Sequence, residues 1–541
     1  MKVTFQIEGG NPVVIECNQG DNLLELARRG NVAIDAPCSG NGSCGKCRVK
    51  LIEGEVDTIP SRHITSEEFE AGWRLSCNCK VVTDCVVFVP DIASAYQSRM
   101  KTADLSSPKE IAIFEQCQEN LRNSGIAFTN NFRAVVVEME EPTLDDTMPD
   151  NERLTWAIQS ALGVENVKIP FSVMVKLAHT LRLNHFKVCV KGELQGDTFL
   201  CMEVCDPADT AIVGCAIDIG TTTVTMVLTD LETGKLLAKG SSGNGQIRYG
   251  ADVINRIIEQ GKNGGKKKLQ DAIVKETLVP IIANLCRTAG ISSRSILRMC
   301  VAANTTMNHL FVGVDAESVR MEPYIPSFFS WEGMLAGDLK LPANPLAPVL
   351  IAPNIGSYVG GDITAGTLAA GLWDKDEMSL FIDLGTNGEL VFGNRDFMMS
   401  CACSAGPAFE GGDISCGMRA TDGAIEACTI DKETMEPTLT IVGEAGQKPV
   451  GICGSGIIDI ISELFRCAII NAKGLFSREG DRVKRDAHGM GRYVLATAAE
   501  SETGREISIN EVDIDNFIRA KGAIFSAIDT LLQSVDMTVD M

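Results

Sequence analysis

Four cysteines carry the sharpest chemical signal in the chain. Cys38, Cys44 and Cys47 fall in CSGNGSCGKC at 38–47, with five and two residues between them, and RLSC supplies Cys77 after 29 more. Cysteine thiolates hold iron–sulfur clusters, four of them for a [2Fe–2S] centre. The interleaved glycines let such a loop bend closely, and its amides can face the cluster's negative charge and help set its potential. Zinc is the competing ion. Structural zinc sites pair short knuckles with two to four residues between ligands, which the five-residue gap and the solitary Cys77 fit poorly. Cys79 and Cys85 keep the fourth ligand open, since Cys79, two positions on, would share a strand face with Cys77.

A second kind of chemistry appears twice. DIGTTT at 218–223 and DLGTNGE at 383–389 each set Asp-x-Gly-Thr between apolar strands. Such a turn surrounds phosphate oxygens with amides and hydroxyls without a lysine. The candidates are Gly220, Thr221, Thr222 and Thr223 in the first turn, and Gly385, Thr386, Asn387 and Gly388 in the second. Asp218 and Asp383 can hold Mg²⁺ through water, because Mg²⁺ prefers oxygen ligands and keeps part of its hydration shell. Asp383 and Glu389 are placed to orient water for hydrolysis, or to stand as solvated structural carboxylates. NTTM, led by Asn304 and Thr305, and GGD at 360–362 follow apolar strands. GICGSGIIDII opens a helix with Gly454, Ser455 and Gly456, where a phosphate or sugar can approach a helix N-terminus. SAGPAFEGGDI, with Gly406, is a further glycine-rich loop. Each of these alone reads equally well as a tight turn.

The elements that must position these residues follow from periodicity. Val3, Phe5 and Ile7 alternate with polar residues as in a half-buried strand. VVIEC, CRVKLIEGEV and CVVFV read as further strands, and Asp21 is the expected N-cap of a helix ended by Gly30. The expected division is a β-rich unit at 1–92, a linker at 93–125, a small α/β unit at 126–206, and a two-lobed domain from 207 to 541. The small unit combines FRAVVVEM, two helices and the hairpin FKVCVKGELQGDTFLCMEV. In the last region the recurrence of strand–turn–strand, with Asp218 and Asp383 in matching places, suggests duplication. GADVINRIIEQ and GGDITAGTLAAGL are intervening helices, and DIDNFIRAKGAIFSAIDTLLQSV, about 514–534, is a long amphipathic one.

Composition narrows the function. The 541 residues carry a formal net charge of −22, which disfavours nucleic acid and anionic membrane surfaces. No run of about 18 apolar residues occurs, and the start lacks a signal-peptide core, so a cytoplasmic protein is expected. In reducing cytosol the 20 cysteines are not expected to form a disulfide framework. Those in apolar runs, such as Cys17 and Cys215, read as small buried hydrophobes. None of the five histidines shows metal-ligand spacing, and only His309, just after NTTM, lies near a candidate site.

Residues 1–90 resemble [2Fe–2S] ferredoxins of the β-grasp fold, in the variant with five residues between the first two ligands. That resemblance implies Cys38, Cys44, Cys47 and Cys77 as ligands, with Cys79 a bystander. DIGTTT and DLGTNGE resemble the two phosphate loops of the actin, hexokinase and heat-shock chaperone superfamily, an RNase H-like duplication. In order, CSGNGSCGKC with RLSC, DIGTTT, NTTM, DLGTNGE, SAGPAFEGG and GICGSG resemble one family over nearly all of the chain: the reductive activators of corrinoid enzymes. The implied fold is multidomain, α+β and α/β. The implied activity is ATP-dependent return of an oxidised Co(II) corrinoid to Co(I) by one electron. The partners would be a corrinoid methyl-carrier protein of anaerobic one-carbon or demethylation metabolism and an external low-potential donor, with a homodimer expected by resemblance. Plant-type [2Fe–2S] potentials lie near about −400 mV, and each ~59 mV uphill costs a factor of ten for one electron, which gives ATP a purpose. Family members carry a further strand and a glycine pair at the adenosine after the long helix. The sequence ends at Met541 without them, so truncation is expected. Two rivals are an activator of a radical dehydratase, which holds a [4Fe–4S] cluster between subunits, and a redox-sensing or electron-carrier scaffold with an inactive ATPase fold. A sugar kinase with a fused ferredoxin is weaker, since no sugar-binding constellation is evident.

Overall fold

The alternation at the N-terminus becomes β1 (Lys2–Ile7) in the computed structural model, with Val3 and Phe5 fully buried. The structure describes all residues except 9–11, 31, 33, 35–46, 59–60, 62, 91–100, 104–107, 251, 386, 411–413, 419, 421–422, 444–445, 487–488 and 540–541. By packing, the chain divides into two units, 1–99 with 247–256 and 375–541, and 100–246 with 257–374.

In the first unit, β1 pairs antiparallel with β2 (Val13–Glu16). β3 (Arg48–Glu53), β4 (Val56–Thr58), β5 (Trp73–Leu75), β6 (Cys79–Val81) and β7 (Cys85–Val89) complete the thiol-bearing region. β7 lies parallel to β1, and β3 joins β7 to β5 antiparallel, giving the order β2-β1-β7-β3-β5. α1 (Leu23–Arg29) buries Leu23, Leu24, Leu26 and Ala27 in the core shared with Val3, Phe5, Val49 and Val87. This is the mixed sheet with one crossing helix that a β-grasp fold requires. The N-cap is Asn22 rather than the expected Asp21: its Oδ1 accepts the amides of Leu24 at 3.0 Å and Glu25 at 3.2 Å. Asp21 instead accepts from the amide of Asn18.

The second unit begins with β8 (Lys101–Ala103) and the helix α2 (Pro108–Asn123), both within the expected linker. Then come β9 (Phe132–Glu138), α3 (Asp150–Leu162), β10 (Asn166–Lys168), α4 (Phe171–Leu183), β11 (Lys187–Gln195) and β12 (Thr198–Cys205). Their sheet has the order β10-β12-β11-β9, with Leu154, Ile158, Leu177 and Leu181 packed on it. β13 (Val213–Ile219), β14 (Thr223–Asp230) and β15 (Leu236–Gly243) form an antiparallel meander. β16 (Ile296–Ala303) and β17 (Val349–Ile351) add in parallel, so the sheet reads β17-β16-β13-β14-β15-β8. Buried Lys191 of β11 fastens the smaller sheet to the larger: its Nζ donates to Asp209 at 2.6 Å and to Ser295 at 2.8 Å.

Returning to the first unit, β18 (Ser379–Leu384), β19 (Gly388–Gly393) and β20 (Met398–Cys403) repeat the antiparallel meander. β21 (Ala424–Ile430), β22 (Pro437–Ile441) and β23 (Gly451–Ile452) form a separate sheet, and β24 (Val483–Arg485), β25 (Gly491–Ala496) and β26 (Ile507–Asn510) another. The expected duplication is therefore visible in the meanders, while the flanking strands differ. The long helix runs Glu511–Gln533, about three residues earlier than expected, because Asn510 and Asp513 form a reciprocal capping box.

Candidate functional site

Cys47 stands at the entrance to β3, and Cys77 lies on a single 3₁₀ turn, Ser76–Asn78, that follows β5. Two hydrogen bonds fix that turn: Ser76 N–H donates to the Cys47 carbonyl at 2.9 Å, and Asn22 Nδ2 donates to the Cys77 carbonyl at 2.7 Å. The helix cap therefore also positions the thiol. The Sγ atoms of Cys47 and Cys77 are 3.2 Å apart, with the residues only 1% and 8% exposed. A disulfide would need about 2.05 Å. Two thiolates on one tetrahedral ion, with metal–sulfur bonds of about 2.3 Å, stand roughly 3.8 Å apart. The sulfurs are unbonded and near enough to share an ion, and an all-sulfur donor set suits iron–sulfur chemistry. Cys38 and Cys44 lie outside the described residues; among the described residues no three His, Cys, Asp or Glu side chains gather as a metal site.

The 3₁₀ turn interrupts the strand on which Cys79 would share a face with Cys77, and Cys79 opens β6. Its Sγ instead donates to the Leu75 carbonyl at 3.2 Å. Burial pushes the Cys79 thiol up to about 11, and the Cys85 thiol likewise to about 11. Both are protonated structural thiols at neutral pH. Cys17 and Cys215 are buried, as expected.

In the first phosphate-type hairpin, Asp218 faces Thr225 across the ladder and is exposed. The turn is narrow: a Cβ on Gly220 would lie 2.7 Å from the Thr223 carbonyl oxygen. Asn244 braces it, donating from Nδ2 to the Gly220 carbonyl at 2.8 Å and from its amide to the Thr222 carbonyl at 2.9 Å. Asn304 donates from Nδ2 to Thr221 Oγ1 at 3.1 Å while its Oδ1 caps the helix Thr305–Val312 through the Met307 amide. Thr305 Oγ1 donates to the Gly356 carbonyl. NTTM and DIGTTT are thus joined side chain to side chain. Sequence reasoning missed Asn244; a polar residue directly after β15, in GNGQ, was its only signal.

His309 is a structural residue. Its Nε2 accepts the Ser327 amide at 3.0 Å, so Nδ1 carries the proton and donates to the Thr305 carbonyl at 2.7 Å. Burial lowers its pKa, and the ring stacks on Phe328.

In the second hairpin, Asp383 sits directly opposite Glu389, and Leu384 opposite Gly388. Opposed residues in an antiparallel pair have Cβ atoms about 4.5–5.5 Å apart, so the two carboxylates are neighbours. Glu389 is 8% exposed. Gly385 N–H donates to the Asn387 carbonyl at 3.0 Å; Thr386 is outside the described residues. Gly406 has φ of 79°, in the left-handed region. Gly454 and Gly456 open the helix Gly454–Arg466 against protein backbone: a Cβ would meet the Phe409 carbonyl at 1.8 Å or the Ile425 carbonyl at 2.1 Å. Close packing alone accounts for both glycines. Ser455 Oγ is 3.3 Å from Cys453 Sγ.

Among the described residues no helix is long and apolar enough to cross a membrane. Family models match in the same order as these features. A 2Fe-2S iron-sulfur cluster binding domain matches residues 6–82, the RACo linker region 122–198, the RACo middle region 213–375, and the C-terminal ASKHA domain of RACo 377–541. The ferredoxin domain with an actin-type domain behind it, expected from the motifs, is the fold found. A corrinoid activation enzyme, RamQ of Eubacterium limosum, is 31% identical over 530 residues, 95% of this chain and 80% of that protein. The [Co(II) methylated amine-specific corrinoid protein] reductase of Methanosarcina barkeri is 24% identical over 346 residues, 59% of each chain. The solved structure of a reductive activator for corrinoid,iron-sulfur protein superposes with a TM-score of 0.67 and 35% identity, covering 100% of this chain and 84% of that one.

Proposed function

The chain belongs to the RACo family, and from that premise we propose that it is an ATP-dependent reductase that reactivates a corrinoid protein. The corrinoid cobalt, carried on a methyl-carrier protein, is the substrate: one electron takes Co(II) to Co(I). Cys38, Cys44, Cys47 and Cys77 are assigned to a [2Fe–2S] cluster, and the convergence of the Cys47 and Cys77 sulfurs supports the assignment. When bound, such a cluster supplies one electron at a time at about −400 mV. The chain's own part is to keep the Cys77 turn in place through Asn22 and Cys47, and to bury both sulfurs away from water.

On the nucleotide side, Gly220–Thr223, with Asn304 and Thr305, are assigned to phosphate oxygens of ATP. In the other unit, Gly385–Gly388, Gly406 and Gly454–Gly456 are assigned to nucleotide binding, Gly454 and Gly456 more weakly because protein backbone already packs against them. Asp218 and Asp383 would hold Mg²⁺, which neutralises phosphate charge when bound. Asp383 and Glu389 orient the attacking water. ATP can favour electron transfer only through its differential affinity for two conformational states. An external low-potential donor, a homodimer, a cytoplasmic location and the division at 1–92, 93–125, 126–206 and 207–541 belong to the same proposal.

The observation that carries this reading is the convergence of Cys47 and Cys77 in a chain that also bears both Asp-x-Gly-Thr hairpins. The test mixes anaerobically reconstituted, reduced protein with a Co(II) corrinoid methyl-carrier protein and follows Co(I) absorbance. Co(I) should accumulate, faster with ATP. Iron-replete protein that yields none at any ATP concentration would sink the reading.

A further inference from the structure

Ser76 lies beside Cys47 and Cys77, the two candidate cluster ligands among the described residues. It is 0% exposed. Its amide donates to the Cys47 carbonyl at 2.9 Å, its carbonyl accepts the Cys79 amide, and the sulfur of the next residue lies 3.2 Å from that of Cys47. Both main-chain groups are used, yet its Oγ has no hydrogen-bond partner among the described residues. A buried hydroxyl without a partner gives up its hydration for nothing, and folded proteins seldom keep one without a reason. The nearby Leu75 carbonyl is engaged by Cys79 Sγ and the Cys77 carbonyl by Asn22.

We propose that the Ser76 hydroxyl is a hydrogen-bond donor to sulfur of the bound [2Fe–2S] cluster and sets its reduction potential. The proposal rests on the reading that Cys38, Cys44, Cys47 and Cys77 hold that cluster. Reduction adds one negative charge to the cluster. A donor aimed at sulfur therefore stabilises the reduced state more than the oxidised state and raises the potential. By touching the cluster directly, Ser76 decides how readily the electron is loaded and how hard it is pushed onward.

The test is a spectroelectrochemical titration of the full-length, anaerobically reconstituted protein. Ser76→Ala, with iron content equal to wild type, is expected to bind its electron about tenfold less tightly, a fall of about 59 mV in midpoint potential. Ser76→Thr, which keeps the hydroxyl, should stay near the wild-type value. Should the alanine variant lose iron, Ser76→Cys, a near-isostere with a weaker donor, serves in its place and should show a smaller fall. An iron-replete alanine or cysteine variant with the wild-type potential overturns the proposal. Wild-type protein that binds no iron overturns the cluster reading itself, so the two failures are distinct.

Discussion

The two Asp-x-Gly-Thr hairpins share a motif and differ in what faces the aspartate. Asp218 looks across its ladder at Thr225, whereas Asp383 looks at Glu389. The first turn is braced from outside by two asparagine side chains, Asn244 and Asn304. The second carries a pair of carboxylates, one of them largely buried. Like charges opposed on a sheet are destabilising, so the second hairpin tolerates a cost that the first avoids. A braced turn with a single carboxylate suits holding a phosphate. A carboxylate pair suits orienting water beside a cation. On the proposed reading, one motif serves two roles, and the residue facing the aspartate makes the difference.

Six substitutions, in four experiments, break or sharpen that contrast. Glu389→Thr gives the second hairpin the pairing of the first. Phosphate release should fall about 100-fold or more, the scale of losing a positioned acid–base group, with nucleotide still bound. Wild-type hydrolysis would show that the facing residue is not catalytic. Next in size is a pair of glycine changes. The Cβ of Gly220→Ala meets a backbone oxygen at 2.7 Å, which cannot yield, whereas that of Gly388→Ala meets the Cys403 sulfur at 2.8 Å and the Ile524 side chain at 3.0 Å. Overpacking costs about 1–3 kcal/mol, and the first change should fall at the upper end and the second at the lower. Thermal midpoints in the opposite order would contradict the packing argument.

Asn304→Ala removes a helix cap worth about 1 kcal/mol together with the tie to Thr221, and ATP affinity should fall about fivefold by titration. Asn304→Asp keeps the cap but not the donor. If it binds ATP as wild type does, the tie is unimportant. The smallest effect is expected from Thr225→Glu, which installs the carboxylate pair in the first hairpin. An opposed like charge is worth about 0.2–1 kcal/mol, so ATP binding should weaken only a few-fold and recover as Mg²⁺ is raised. A loss insensitive to Mg²⁺ would mean that the added bulk, not the charge, is responsible.

What was legible in the sequence was what repeats locally. Val3, Phe5 and Ile7 fixed a strand by period, and the strand–turn–strand pattern exposed both hairpins. What was not legible depended on partners far along the chain. Asp21 and Asn22 are equally good caps by type. Asn22 is the one whose amide also reaches Cys77, 55 residues away. Asn244 looked like an ordinary loop residue because the carbonyl it braces lies 24 positions earlier. Cys77 and Cys79 read by spacing as neighbours on one strand face, and the 3₁₀ turn that breaks that strand had no local signal. The pairing of β8 with β15 has no local signature at all.

The fastening at Lys191 has a mechanical consequence. Its ammonium is buried on Asp209 and Ser295, so the small sheet cannot pivot at this joint without stranding charge. Breaking a buried pair costs on the order of 3–5 kcal/mol, less where, as at Asp209, one partner reaches water. Any displacement of the strands that carry Gly220–Thr223 is therefore transmitted stiffly to the helices Asp150–Leu162 and Phe171–Leu183. Trp156 and Phe171, which those helices hold out in solvent, ride along as the far end of a lever.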